Sequence, residues 1–341
     1  MTNTPAFRAY VASPAFLEPL GLPPRTQLTF SPLGQGEYNV NYRFDHPITG
    51  RRLVLRINTG SQMHLERQIA YEFSALKGLA PSGRVPQALF CDDTRAILPW
   101  GALVMECLPG RPLRYESDLA VAADILADIH AVPIPQNTVL LRPDHPAQSV
   151  YDECVTMVQH YFDWEQADRE VCRLLETLIS EIGRLPLKEP SSAPRCMVNT
   201  ELNSGNFLIN EGGPSYLVDW EKPLISEPAQ DLGHFLAPTT TFWKTDVILT
   251  PKEMAAFVRQ YRSAVGDRLD IASLGERLPL FLTVTCLRGV TWCAMATREY
   301  ARPDRPITNQ DTLTKLRQYL STDFLHNILE NYVRRDFLRD C

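Results

Sequence analysis

Residues 198–221 read VNTELNSGNFLINEGGPSYLVDWE, and the reading of this stretch decides the fold. Glu201 stands five residues before Asn206, the apolar triplet Phe207, Leu208 and Ile209 follows, and a second apolar run after Gly212, Gly213 and Pro214 ends at Asp219. Short apolar runs on either side of a Gly-Gly-Pro turn predict a loop, a strand, a tight turn and a second strand. A hairpin brings its own ends together, so Asn206 and Asp219 are expected side by side. An amide oxygen beside a carboxylate is a hard-oxygen pair suited to Mg²⁺, which takes its remaining ligands from water and phosphate. Glu201 falls at the other end of the loop. An acid and an amide five residues apart mean nothing alone; the agreement of spacing, hairpin and VDWE flank carries the reading.

The segment resembles the catalytic core of the aminoglycoside phosphotransferase and choline kinase superfamily, relatives of protein kinases that phosphorylate small molecules. Their pattern is H-G-D-x-x-x-x-N, then a hairpin and I-D-W/F-E. The resemblance implies metal binding by Asn206 and Asp219 and a catalytic role for Glu201, which stands where the family has Asp. Asn199 stands where it has His. Glu carries the same charge as Asp but reaches one methylene further, and a misplacement of about an ångström can cost on the order of a hundredfold in rate. Three roles stay open for Glu201: base, ligand of an acceptor hydroxyl, or remnant in a protein that only binds nucleotide.

The sequence before residue 109 is rich in strand signals. Strands are expected at 27–32, 38–44, 53–58, 88–91 and 103–107, with a helix over 63–79 whose apolar residues are Leu65, Ile69, Phe73, Leu76 and Leu79. In LGQGEYNVNY, Gly34 and Gly36 let backbone approach phosphates closely; the plain alternative is an ordinary hairpin. Asn39 and Asn41 resemble the polar residues that end the family's nucleotide loop. Arg56, in LVLRIN, takes the place of the kinase strand Lys and can grip phosphate bidentately; the alternative is an exposed strand Arg. Glu72 is the acid expected to hold it, with Glu66 as a second possibility. Glu106 and Cys107 resemble a hinge whose backbone bonds an adenine ring.

After Pro109-Gly110 the chain reads as mostly helical, with helices expected at 119–130, 150–164, 168–185, 252–265, 278–300 and 312–338 and loops at 133–146 and 186–194. Asp231 begins a helix, where an acid caps free N–H groups; in the family this Asp braces the catalytic loop. His130 and His234 read as structural. Trp243, Trp292, Tyr161 and Trp164 could cage a cation or belong to the core.

The chain has 341 residues, a net charge of −6, 44% hydrophobic and 22% charged residues. This is a globular composition, and the absence of a basic tract argues against a nucleic-acid partner. No membrane span and no leader sequence is expected. Eight scattered cysteines without a C-x-x-C pair suggest buried thiols in a reducing cytoplasm rather than zinc. The expectation is an α+β, bilobal, protein-kinase-like fold, with a small antiparallel-sheet lobe over 1–108 and a larger, mainly helical lobe over 109–341. The resemblance implies an ATP- and Mg²⁺-dependent phosphotransferase acting on a small-molecule hydroxyl. The departures at Asn199 and Glu201 leave a pseudokinase with a regulatory or partner role as the alternative.

Overall fold

The computed structural model describes residues 4–36, 38–61, 63–189, 193–302 and 310–334. The chain forms two compact units. The first takes the chain up to Leu113, then Ala131–Leu141 and Asn206–Leu224; the second takes Arg114–His130, Arg142–Gly205 and the chain from Ile225 onward. The division expected between residues 108 and 109 is a single cut, whereas both units are discontinuous. The hairpin carrying Asn206 and Asp219 belongs to the first unit, and Glu201 to the second.

The first unit is built on a five-stranded antiparallel sheet: β1 (Ser31–Gln35), β2 (Asn39–Asp45), β3 (Arg52–Asn58), β4 (Ala88–Asp92) and β5 (Gly101–Glu106), in the order β1-β2-β3-β5-β4. In β3 the period of two divides the side chains between faces. Leu53, Leu55 and Ile57 join a buried cluster with Tyr42, Phe44 and Val104, so Arg56 points to the opposite face. That cluster is completed by α1 (Pro5–Val11) and α2 (Pro14–Leu17), which contribute Phe7, Tyr10, Phe16 and Leu17. Phe16 lies 5.7 Å from Phe90 and 6.0 Å from Phe44 between ring centroids. Deleting a buried ring of this kind costs roughly 3–5 kcal/mol, so Phe16→Ala would open this face. The strand expected at 27–32 begins only at Ser31, where pairing with Arg43 starts; Phe30, just before it, packs in the aromatic cluster 5.1 Å from Phe44.

The helix α3 (Gln68–Leu79) starts five residues later than its apolar spacing predicts; His64, at a φ of 55°, turns the chain first. The hairpin is present as Phe207–Ile209 paired with Tyr216–Leu217, in register Phe207↔Leu217 and Leu208↔Tyr216. The two-residue strand Arg111–Pro112 pairs with its outer edge.

The second unit is helical: α4 (Tyr115–His130), α5 (Pro146–Phe162), α6 (Arg169–Ile182), α7 (Pro228–Leu236), α8 (Pro238–Lys244), α9 (Pro251–Val265), α10 (Leu274–Tyr300), α11 (Gln310–Tyr319) and α12 (Thr322–Ile328). The single helix expected over 312–338 is broken at Ser321, whose hydroxyl accepts from the Phe324 N–H and starts α12; residues 335–338 lie outside the described residues. By length and composition α10 could cross a membrane, contrary to the sequence expectation, but 72% of its most apolar window is buried. It packs on α5 and α7. Two glycines set these approaches. A Cβ on Gly233 of α7 would lie 2.7 Å from the Leu282 backbone nitrogen, and one on Gly289 of α10 would lie 2.4 Å from the Thr239 Cβ. No real side chain tolerates such distances, so α7 and α8 meet α10 only because both positions lack a Cβ.

Candidate active site

In the first unit, Arg56 is the centre. It is 6% exposed, and its guanidinium reaches three partners: Nη1 to Glu72 Oε1 at 2.5 Å, Nη1 to Asp219 Oδ1 at 3.1 Å, and Nε to Asn41 Oδ1 at 3.0 Å. The exposed-strand alternative is thereby set aside. Of the two candidate acids, Glu72 is 1% exposed and pairs with Arg56, while Glu66 lies at the surface. Burial pushes the Glu72 carboxyl up to about 7, against the downward pull of Arg56. For Arg56 burial acts downward but is outweighed by Glu72, Asp219 and Glu221, which hold the guanidinium charged. Removing one partner from such a buried pair is far costlier than the pair's net worth.

Asp219 sits just past the second hairpin strand, where the Val218 N–H donates to the Asn206 carbonyl at 2.8 Å. That bond holds the backbone of Asn206 beside the residue preceding Asp219. Asn206 is buried, while the Asp219 side chain keeps 35% exposure. Asp219 has a φ of 64°, a left-handed conformation that is costly for a residue with a Cβ and is characteristic of functional turns. Among the described residues no group of three or more His, Cys, Asp or Glu side chains could hold a metal. A cation at Asn206 and Asp219 would therefore draw most of its ligands from phosphate and water, the habit of Mg²⁺.

The Asn39 side chain is engaged within the unit: its Nδ2 donates to Glu221 Oε2 and its Oδ1 accepts from Asn58 Nδ2 at 2.9 Å. Both ends of the amide are spent tying β2 to β3 and to the chain after Asp219. Gln68 of α3 donates to the Glu221 carbonyl at 2.7 Å, adding a third element to the same knot. At the expected hinge, the Glu106 N–H donates to the Gln87 carbonyl and the Cys107 N–H to the Arg52 carbonyl, at 2.9 and 3.0 Å. These two donors are consumed by the sheet, and a base would have to use carbonyls here or the N–H of Leu108 beyond. At the glycine loop, the Gly36 N–H is likewise used, donating to the Asn39 carbonyl at 2.9 Å. A Cβ on Gly34 would meet nothing within 4 Å, and one on Gly36 only the Asn39 oxygen at 3.9 Å. Neither glycine is required by the packing around it. Glu37, between the two strands, lies outside the described residues.

In the second unit, the loop bearing Glu201 hangs on Asp231. The fully buried carboxylate accepts from the Asn199 N–H and the Thr200 N–H, each at 2.8 Å, and its Oδ2 lies 3.2 Å from His130 Nε2. His130 is fixed in turn by the Tyr261 hydroxyl at 2.9 Å. Asp231 is thus a brace and not a helix cap; α7 begins earlier, at Pro228. His234 of α7 accepts from the Leu202 N–H at 3.2 Å. Asn199, in the place of the family's His, turns its Oδ1 to the Glu201 N–H at 3.0 Å. Thr200 has a φ of 70°, the second left-handed residue in the 198–221 stretch. The Glu201 side chain is 26% exposed, and its Oε1 lies 3.6 Å from Nη2 of Arg288 on α10.

Sequence reasoning missed Arg288, which stands 87 residues after Glu201 with no spacing to link them. The four aromatics weighed as a cage form two separate pairs: Trp243 with Trp292, 5.2 Å apart and edge-on, and Tyr161 with Trp164, 5.8 Å apart.

Residues 29–272 match the phosphotransferase enzyme family. The chain belongs to that family and is a phosphotransferase. No curated protein matches the sequence. Solved structures share its kinase-like fold. A candidate aminoglycoside phosphotransferase from Ralstonia eutropha JMP134 superposes with a TM-score of 0.68 at 15% identity, over 96% of this chain and 97% of that one. An ethanolamine kinase from Plasmodium vivax gives 0.63 at 16% identity, over 93% and 89%. Spectinomycin phosphotransferase, solved with ADP and spectinomycin, gives 0.59 at 11% identity, over 89% and 92%.

Proposed function

We propose that the chain transfers the γ-phosphoryl group of ATP to the hydroxyl of a small molecule in a Mg²⁺-dependent reaction. The observation that carries this reading is Arg56, a charged guanidinium held between Glu72 and Asp219 in the unit that also bears Asn206. Arg56 would bind the α and β phosphates, and Glu72 would keep it aimed. Asn206 and Asp219 would hold the magnesium ion, whose charge offsets that of the phosphates. Glu201 would orient the acceptor hydroxyl and take its proton as the new O–P bond forms and the bond to ADP breaks. Positioning and charge neutralisation supply most of the rate in such reactions. The acceptors named for similar structures, ethanolamine and spectinomycin, mark the range to search, because a shared fold does not fix a substrate.

The test is a screen of amino alcohols, aminocyclitols and sugars for ATP consumption, with mass detection of a phosphorylated product. Calorimetry without ATP binding at millimolar concentration in the presence of Mg²⁺ sinks the reading at its first step. Asp219→Ala should remove the magnesium-dependent part of ATP binding. Glu201→Gln should lower transfer by roughly a hundredfold while ATP affinity barely moves; an unchanged rate would show that Glu201 is not the base.

A further inference from the structure

We propose that Arg288 is the positioning residue for the Glu201 carboxylate, and that Glu at 201 and Arg at 288 work as a set. The proposal rests on the reading of Glu201 as the acid that faces the acceptor. The backbone on both sides of Glu201 is fixed: Asp231 holds the N–H groups of Asn199 and Thr200, and His234 holds that of Leu202. The loop therefore cannot retreat to accommodate a side chain one methylene longer than Asp. The extra rotatable bond must be restrained from the side-chain end, and Arg288 Nη2, 3.6 Å from Oε1, is placed to do it.

Arg288 is itself well anchored. It is next to Gly289, where α10 meets Thr239 too closely for any Cβ. Its Nε lies 3.4 Å from Glu153 Oε2 on α5, so one planar guanidinium spans two carboxylates from different elements. The surroundings favour the cation: burial acts against it, but Glu153 and then Glu201 outweigh burial and raise Arg288 above its ordinary value. An Asp at 201 would fall short by about one C–C bond, roughly 1.5 Å, and leave ion-pairing range. The longer acid and the distant arginine thus explain each other.

The experiment is a double-mutant cycle on the full chain: parent, Arg288→Gln, Glu201→Asp and the double variant, with Arg288→Lys as the conservative rescue. Turnover is read as ADP release from Mg-ATP, with water and then ethanolamine as acceptor. Arg288→Gln should lower kcat roughly tenfold while the KM for ATP stays within about twofold, and Arg288→Lys should recover part of the loss. In the Glu201→Asp background the same Arg288→Gln change should cost less than about twofold, because the partner is already out of reach. Equal losses in both backgrounds, or a raised KM for ATP with kcat unchanged, overturn the proposal. Thermal unfolding of the same four proteins supplies an arm that needs no acceptor: non-additive Tm shifts support the contact, and additive shifts overturn it. A parent that releases no ADP shows that neither water nor ethanolamine is its acceptor, and the unfolding cycle then decides by itself whether the two residues act together.

Discussion

In the first unit the polar centre is made of charge packed against charge, with Arg56 touching Glu72 and Asp219 and most of the ensemble out of water. In the second unit the loop is held by uncharged backbone: two N–H groups fall into Asp231, a third into His234, and the Glu201 carboxylate is left partly in solvent. The first arrangement fixes where positive charge stands. The second fixes where a backbone stands, so that one side chain can work from it. A cluster of charges should respond to pH and to charge-preserving substitutions; a backbone brace should respond to loss of hydrogen-bond acceptors whatever their charge.

The largest effect expected is at the brace. Asp231→Ala leaves the buried N–H groups of Asn199 and Thr200 without acceptors and removes the partner of His130. Each orphaned group costs roughly 1–3 kcal/mol, so for the three groups a loss of about 3–9 kcal/mol and a Tm lower by on the order of 10 °C are expected. Asp231→Asn keeps one acceptor oxygen and should recover about half. A Tm within about 2 °C of the parent for the Ala variant would mean that water or a rearranged loop replaces Asp231, and the contrast between the units would dissolve.

The charge cluster is tested next through Glu72. Burial holds its carboxyl near 7, above the ordinary value of 4.5. An acid raised in the folded state contributes its stabilisation fully below its unfolded value and loses it as pH climbs to the folded value. The stability of the parent relative to Glu72→Gln should therefore fall between about pH 4.5 and 7 and level off above, by no more than about 3 kcal/mol. Urea denaturation of both proteins across that range measures it. A difference that is flat with pH would show Glu72 ionised throughout, with Arg56 winning over burial.

Much of this contrast is legible in the amino-acid sequence. The alternating residues of β2 and β3 place Arg56, and the Gly-Gly-Pro turn places Asn206 and Asp219 at the mouth of one hairpin, because both are short-range consequences of a period and a turn. Other features escape a sequence reading because nothing local encodes them. Asp231 sits in a helix sequence that reads equally well as a cap, and only the loop folded over it shows the brace. The sequence around Asn39 says nothing about its partner, Glu221, 182 residues away. The helices α1 and α2, of seven and four residues, are too short to show a period, and their role appears only when Phe7 and Phe16 meet the sheet. The strand Cys196–Val198 is three residues long and escapes for the same reason.

Third in size is Arg56 itself. If it grips phosphate, Arg56→Ala should weaken ATP by about 10- to 100-fold, the worth of one or two charge-assisted hydrogen bonds. Arg56→Lys should retain part of the affinity, since the charge persists and the fork does not. Calorimetry with Mg-ATP reads both. An Ala variant that folds and binds ATP like the parent would make Arg56 a purely structural centre.

The smallest effect is the most discriminating, because stability and binding should separate. Gly34 has no positive φ, and among the described residues a Cβ built on it meets no atom beyond its chain neighbours within 4 Å. Gly34→Ala should therefore leave the fold intact and stabilise it slightly, by up to about 0.5–1 kcal/mol, through the stiffer unfolded chain. A methyl group there can be felt only by something that comes close from outside. If phosphates lie against this turn, ATP affinity should fall several-fold, roughly 1 kcal/mol by the affinity scale, with denaturation unchanged or improved. Gly36→Ala serves as the neighbour for comparison: its Cβ would sit at ordinary contact distance from the Asn39 carbonyl, and its N–H is already given to that oxygen. Equal ATP affinity for the parent and Gly34→Ala would show that no phosphate approaches within a methyl radius of this strand. The first unit would then bind nucleotide through Arg56 and the hairpin alone.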